Sequence, residues 1–208
     1  MKHTRRKWLI SLPAFVFSAA AYAGGGPLGI DHQVKFDQSG VWSRHNQVAL
    51  ESLTLLTIGG GALWEGGDSR LGKTYWQAVD SAILATAGAT AGKYVFERSR
   101  PSQTTDPNQW RQGSGHTSFP SGEVAFISSA VTPFVIEYGH DHPWVYALEL
   151  LPAYDSIARV KAHAHWQSDV LAGWALGTAT GYYASTRDSP FVLSAMPHGI
   201  QVGFSKHW

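Results

Sequence analysis

His165 and Asp169 stand four residues apart. On one helix that spacing lets the carboxylate accept a hydrogen bond from one ring nitrogen and leaves the other free as a nucleophile. Arg159 precedes the histidine by six residues, and Lys93 and Arg100 are seven apart; on a helix two turns place both cations on one face. Between these groups lies Ser118-Phe119-Pro120-Ser121-Gly122, where a loop meets a helix start. Free backbone N–H groups, the positive helix end, a glycine that permits close approach and a serine hydroxyl suit such a place to an anion. Taken singly, each cluster has a plainer reading. A helical His-Asp pair is more often structural, two spaced cations are more often a solvated face, and Ser121 alone is an ordinary N-cap.

The elements that must position these groups are helical. An uncharged run broken only by Glu51 predicts a helix over 46–64, weakened by Gly59-Gly60-Gly61 at roughly 1 kcal/mol per glycine relative to alanine. The alanine-rich stretch 72–98 is the longest helix-like segment, ending at the cluster that runs from Lys93 to Arg100 before Pro101. Residues 101–119 read as a long loop of the kind that carries function. A helix follows over 121–138, interrupted by Pro133, where a kink is expected, and ended by Gly139. Two more helical stretches cover 143–162 and 166–186, and the tail 190–208 alternates like a small β-hairpin. Residues 28–45 show no period and read as an irregular arm of little function.

At the amino terminus, Lys2, Arg5, Arg6 and Lys7 precede an apolar run over 8–20 and then Ala21-Tyr22-Ala23. The order is that of a cleavable signal peptide, 1–23, and the apolar run is shorter than the roughly 20 residues of a membrane span. Cleavage after Ala23 leaves a single domain, 24–208, exported and expected in the periplasm. It removes four of the 16 basic residues and none of the 15 acidic ones, so the remainder carries 12 against 15, a net −3. Nucleic acid is therefore not an expected partner. With no cysteine, the domain relies on its buried core rather than on disulfides. The uncharged stretches 124–136 and 170–186 fall short of a span and read as buried bundle helices.

In order, Lys93-x6-Arg100-Pro101, Pro120-Ser121-Gly122 and Arg159-x5-His165-x3-Asp169 resemble the three signature motifs of the type 2 phosphatidic acid phosphatase (PAP2) superfamily, which includes acid phosphatases and vanadium haloperoxidases. The resemblance covers about residues 45–186. It implies an all-α bundle in which Lys93, Arg100 and Arg159, helped by the Ser121 hydroxyl and the Gly122 amide, grip phosphate oxygens. It further implies that His165 attacks phosphorus to form a phosphohistidine while Asp169 holds the ring. No metal and no cofactor are implied, since three cations offset the charge that Mg²⁺ would otherwise neutralise.

The chain departs from the pattern at Glu123, where the family has the histidine that protonates the leaving group. A glutamic acid donates only when protonated, and a site crowded with Lys and Arg lowers its pKa. Ionised, Glu123 can instead act as base for the water that cleaves the phosphohistidine. His116, in Gly115-His116-Thr117, is a candidate replacement acid, with an idle loop histidine as the plain reading. Ala158 replaces the serine usual before the arginine, and His163 is a weak rival to His165, better read as a rim histidine.

The reading that follows is a phosphatase for a phosphate monoester or diphosphate. Apolar helices and nine tryptophans favour a lipid substrate and a membrane surface. Two alternatives are a non-enzymatic phosphate- or phospholipid-binding protein that lost its acid at Glu123, and a vanadate-dependent haloperoxidase. The chain is short for the latter.

Overall fold

The computed structural model describes residues 24–187 and, as backbone, two strands at 193–196 and 199–202; the signal peptide expected at 1–23 lies outside the described residues. Five α-helices follow in order: α1 Arg44–Glu65, α2 Arg70–Phe96, α3 Gly122–Tyr138, α4 Leu150–Lys161 and α5 Gln167–Ser185. The chain is all-α, as expected. The stretch 143–162 divides into a 3₁₀ segment, Pro143–Glu149, and α4. In the tail, β1 Leu193–Met196 pairs antiparallel with β2 Gly199–Val202, Leu193 opposite Val202.

Local chemistry sets the helix ends. The Ser43 and Ser69 hydroxyls accept the amides of Asn46 and Gly72, starting α1 and α2. At the other end of α2, Glu97 takes a left-handed conformation, φ 43°, and its N–H closes on Lys93 O. This corrects the expectation that Lys93 and Arg100 share a helix face. Arg100, biased toward extended backbone by Pro101, lies four residues past the helix end. His165 and Asp169 do not share a helix either. Trp166 is extended and caps α5, so His165 sits in the turn before it and Asp169 in its first turn.

The centre of the bundle is α2, α3 and α5, packed through small residues. Ala85, Ala89 and Ala125 are buried between α2 and α3, with Leu176 of α5 against them. On α5, Gly173, Gly177 and Gly181 recur every four residues on one face. A methyl group at these positions would strike Ser121 O, Ala125 O and Thr132 Cβ of the α3 segment. The glycines thus bring α3 against α5, and with it the Ser121-Gly122-Glu123 start against His165. Helix α3 continues past Pro133. Proline cannot donate to the carbonyl of Ser129, and the buried Ser81 hydroxyl of α2 lies 2.5 Å from that oxygen in its place.

Candidate active site

The floor of the site is a buried ion network. Arg98, fully buried just beyond α2, pairs through Nη1 with Asp169 Oδ1 and through Nη2 with Asp31 Oδ2, at 2.5 and 2.6 Å. Asp31 also accepts the backbone N–H and hydroxyl of Ser168. The amino-terminal arm is therefore not idle: its Asp31 balances the arginine that holds Asp169. Asp169 Oδ2 accepts the backbone N–H of Trp166 at 2.9 Å and the Ser118 hydroxyl. Burial alone would raise this carboxyl, but His165, Arg98 and Ser118 outweigh it and hold it below the usual range.

His165 is held differently from the expectation. Its Nδ1 lies 2.6 Å from the carbonyl of Ser118 and 3.8 Å from Asp169 Oδ2. The second distance is beyond a hydrogen bond, so Asp169 acts on the ring by charge and the backbone sets its orientation. A carbonyl only accepts, so Nδ1 carries the hydrogen and Nε2 of the neutral ring keeps its lone pair. Burial pushes the imidazole down to about 4, with Arg159 and Arg100 adding to the effect against Asp169. At neutral pH the ring is uncharged.

The three cations converge near it. Lys93, in the last turn of α2, donates to the carbonyls of Thr117 and Pro120 at 3.0 and 2.9 Å. Arg100 donates to Ala164 O and to both oxygens of Thr117 at 3.2–3.3 Å. Arg159 of α4 donates to Gln47 Oε1 at 3.1 Å and pairs with Glu123 Oε2 at 3.2 Å. Burial and the neighbouring Arg100 push Lys93 down to about 8. Burial likewise lowers Arg100, with Arg159 beside it, and Arg159 itself. Lys93 and Arg100 donate to uncharged carbonyl and hydroxyl oxygens, which leave their charge unbalanced at contact distance, and an anion would relieve their mutual repulsion.

Ser121 stands at the N-cap of α3 without a capping hydrogen bond: among the described residues its buried hydroxyl has no partner, and neither has Arg159 Nε. Its backbone N–H is not free, since it donates to Asp169 O at 3.0 Å. The first helical bond of α3 is donated by Ala125 to Ser121 O, so the amides of Gly122 and Glu123 precede it. A Cβ on Gly122 would meet Lys93 Cε at 3.6 Å, an ordinary contact, so packing alone does not demand glycine there.

Glu123 is bound by Arg44 Nη1 at 2.7 Å as well as by Arg159. Burial raises its carboxyl, but the Arg44 hydrogen bond and the charges of Arg159, Arg44 and His165 prevail, and its pKa falls below the usual value. Arg44 and the buried Gln47 escaped the sequence reading. The signal was there in outline: Arg44, Gln47 and Glu51 are polar positions three and four apart in a helix otherwise mostly apolar. Asp155, one turn before Arg159 on α4, was missed too. It is 1% exposed, neither carboxyl oxygen is bonded among the described residues, and burial with the nearby Glu123 raises it to about 7. His116 is tied to the Ser99 hydroxyl at 2.9 Å and bonds none of the three cations. His163 is outside the cluster; its Nε2 donates to Val34 O at 2.7 Å and its ring meets Phe36 edge-on, pinning the arm.

A helical bundle that gathers three cations, a buried hydroxyl without a partner among the described residues and a neutral, oriented histidine has the charge and the donors to hold an oxyanion. Residues 74–189 match the family model of the PAP2 superfamily, more than half of the chain, and the chain belongs to that superfamily. Among curated proteins, it is 37% identical over 105 residues to lipid A 1-phosphatase of Porphyromonas gingivalis, a match covering 49% of this chain and 21% of that protein. It is 28% identical over 102 residues to undecaprenyl-diphosphatase of Sulfolobus acidocaldarius, covering 48% of each. The chain thus spans less than half the length of both. The crystal structure of Aquifex aeolicus LpxE aligns with a TM-score of 0.50 at 18% identity, over 69% of this chain and 85% of that one, a likeness of fold.

Proposed function

We propose that this chain is a PAP2-type phosphatase that removes phosphate from a phosphorylated lipid outside the cytoplasmic membrane, through a phosphohistidine on His165. The observation that carries the reading is the imidazole: its Nδ1 hydrogen is engaged by Ser118 O, so Nε2 keeps a lone pair on a ring that feels the charges of Arg159 and Arg100. The three cations, the Ser121 hydroxyl and the Gly122 amide bind the phosphate oxygens and offset the charge of the transferring group. Nε2 attacks phosphorus, the P–N bond forms, and the P–O bond to the leaving group breaks with its electron pair on that oxygen. Asp169 stabilises the ring as it becomes positive. Glu123, kept ionised by Arg44 and Arg159, takes a proton from the water that then attacks phosphorus, releasing inorganic phosphate and restoring His165.

A cleft of about 640 Å³ lined by Leu50, Ile58, Phe134, Trp144, Val145 and Leu151 supports a lipid substrate. The helices that line it also carry residues of the site: α1 bears Gln47, α3 bears Glu123, and α4, which adds Leu151 to the lining, bears Arg159. Exposed Leu56, Leu63 and Trp64 of α1 suit a membrane surface, and among the described residues no helix is long and apolar enough to cross one. The names of both curated relatives point to phosphorylated lipids.

The test is phosphate release by residues 24–208 in EDTA from a phospholipid monoester, a prenyl diphosphate and p-nitrophenyl phosphate. His165→Ala should reduce release by about 10³-fold or more. Release that survives the substitution would overturn the reading. A binding protein without turnover is the second reading, favoured by an ionised Glu123 where a proton donor would serve. It predicts no release from the wild type and release from Glu123→His.

A further inference from the structure

We infer that Arg44 forms a second phosphate subsite beside Arg159 and that the substrate it selects is a diphosphate. The inference rests on the phosphatase reading above. Two shared acceptors hold the two guanidinium groups side by side. Arg44 Nη1 donates to Glu123 Oε2 at 2.7 Å and Arg159 Nη1 pairs with the same oxygen at 3.2 Å, while both donate to the same Gln47 Oε1, at 3.4 and 3.1 Å. At contact distance the two cations share a single carboxylate, with the carboxyl groups of Glu51 and Asp155 farther off. Their depths differ: the Arg159 side chain is 8% exposed and that of Arg44 43%. Arg159 lies at the floor and Arg44 toward solvent, the order in which a transferred phosphate and the phosphate behind it would meet them.

The backbone under Arg44 is built rather than loose. It opens α1 immediately after the Ser43 cap, and Asn46 and Gln47 donate back to Gly40 O and Trp42 O at 3.0 and 2.9 Å. Only Nη1 of Arg44 is used by the protein among the described residues, so its other N–H groups form an open fork suited to two phosphate oxygens.

The proton accounting points the same way. When His165 attacks, the leaving oxygen takes the electron pair of the broken P–O bond. An alkoxide would need a proton at that moment. Of the acids in contact with the ring or the two arginines, Glu123, paired with both, has none to give and Asp169 is paired with Arg98; Asp155 holds its proton in the core at 1% exposure, and His165 itself is consumed by the attack. A leaving phosphate spreads its charge over several oxygens and needs a cation instead of a proton. Arg44 supplies it. The products are the lipid monophosphate and, after water cleaves the P–N bond, inorganic phosphate.

The experiment compares a prenyl diphosphate with the prenyl monophosphate of the same chain length on residues 24–208, wild type against Arg44→Ala and Arg44→Lys, with melting curves to confirm folding. The wild type should prefer the diphosphate by about 100-fold or more in kcat/KM, and Arg44→Ala should cut that preference at least about tenfold, with partial recovery in Arg44→Lys. A wild-type ratio near one, or an unchanged ratio in Arg44→Ala, overturns the inference. Release from neither substrate overturns the phosphatase reading instead, and calorimetric titration then decides on Arg44. Methylenediphosphonate binding tighter than inorganic phosphate only when Arg44 is present supports the subsite, and equal binding of the two in the wild type rejects it.

Discussion

At the scale of single residues, the site is governed by groups whose charge burial has moved. His165, pushed down to about 4, stays neutral well below the usual histidine range, and Lys93, pushed down to about 8, loses its proton well below the usual lysine range. A neutral nucleophile and a charged Lys93 coexist only between them, so kcat/KM should plateau between limbs near pH 4 and pH 8. Lys93→Arg should carry the alkaline limb upward, and a pH profile of the two proteins checks it. Asp155 bears on stability. Its folded pKa of about 7 exceeds the ordinary aspartate value of 3.8, so the folded state holds a proton that the unfolded state releases, and stability falls as pH rises from about 4 to about 7. His165 works in the opposite sense: with its folded pKa depressed, stability is lost as pH falls from about 6.5 to about 4. Asp155→Asn should therefore raise the melting temperature more at pH 8 than at pH 5, and should leave a stability that declines more steeply toward acid.

At the scale of elements, what matters is how closely α3 and α5 approach. Gly177 faces Ala125 O, Ser128 Cβ and Ser129 N, mostly backbone that cannot swing aside. Gly177→Ala must therefore part the helices, with a loss of about 1–3 kcal/mol from overpacking. The same shift would move Ser121 and Glu123 on α3 away from His165, so a thermal melt should show the destabilisation and kcat/KM should fall with it. Gly122→Ala is the contrast, because its added methyl meets Lys93 at an ordinary distance. The helix pattern itself was legible in the sequence. The alanine-rich 72–98, the break at Gly139 and the stretch before residue 186 all correspond to helices, because periodicity and caps are local properties. The end of α2 was not legible, since a left-handed Glu97 has no composition signal, and that one residue takes Arg100 off the helix that carries Lys93.

At the scale of the whole molecule, the amino-terminal arm is bound into the bundle through charge. Asp31 and Asp169 flank Arg98 with no exposure on any of the three side chains. Removing one member of such a network leaves a buried charge uncompensated, a loss of about 3–5 kcal/mol. Asp31→Ala should lower the melting temperature accordingly. It should also lower kcat at saturating substrate, because Arg98 then shifts its pairing at Asp169, although Asp31 lies outside the cation cluster. A variant that melts early but keeps full kcat below its melting range would confine Asp31 to a structural role.

The sequence by itself determined which residues are offered for chemistry: Lys93, Arg100, Ser121, Gly122, Arg159, His165 and Asp169 stand in recognisable order, and Glu123 marks the departure. Helix positions followed from the same local information, since propensity, capping and periodicity act over a few residues. The tertiary structure alone decided the charges and protons. Which ring nitrogen of His165 holds hydrogen depends on Ser118, 47 residues away. The ionised state of Glu123 depends on Arg44, 79 residues away, and the balance of Arg98 on Asp31, 67 away. Burial and pairing of charge are defined only where distant segments meet, and no period or spacing within one segment records which partner arrives.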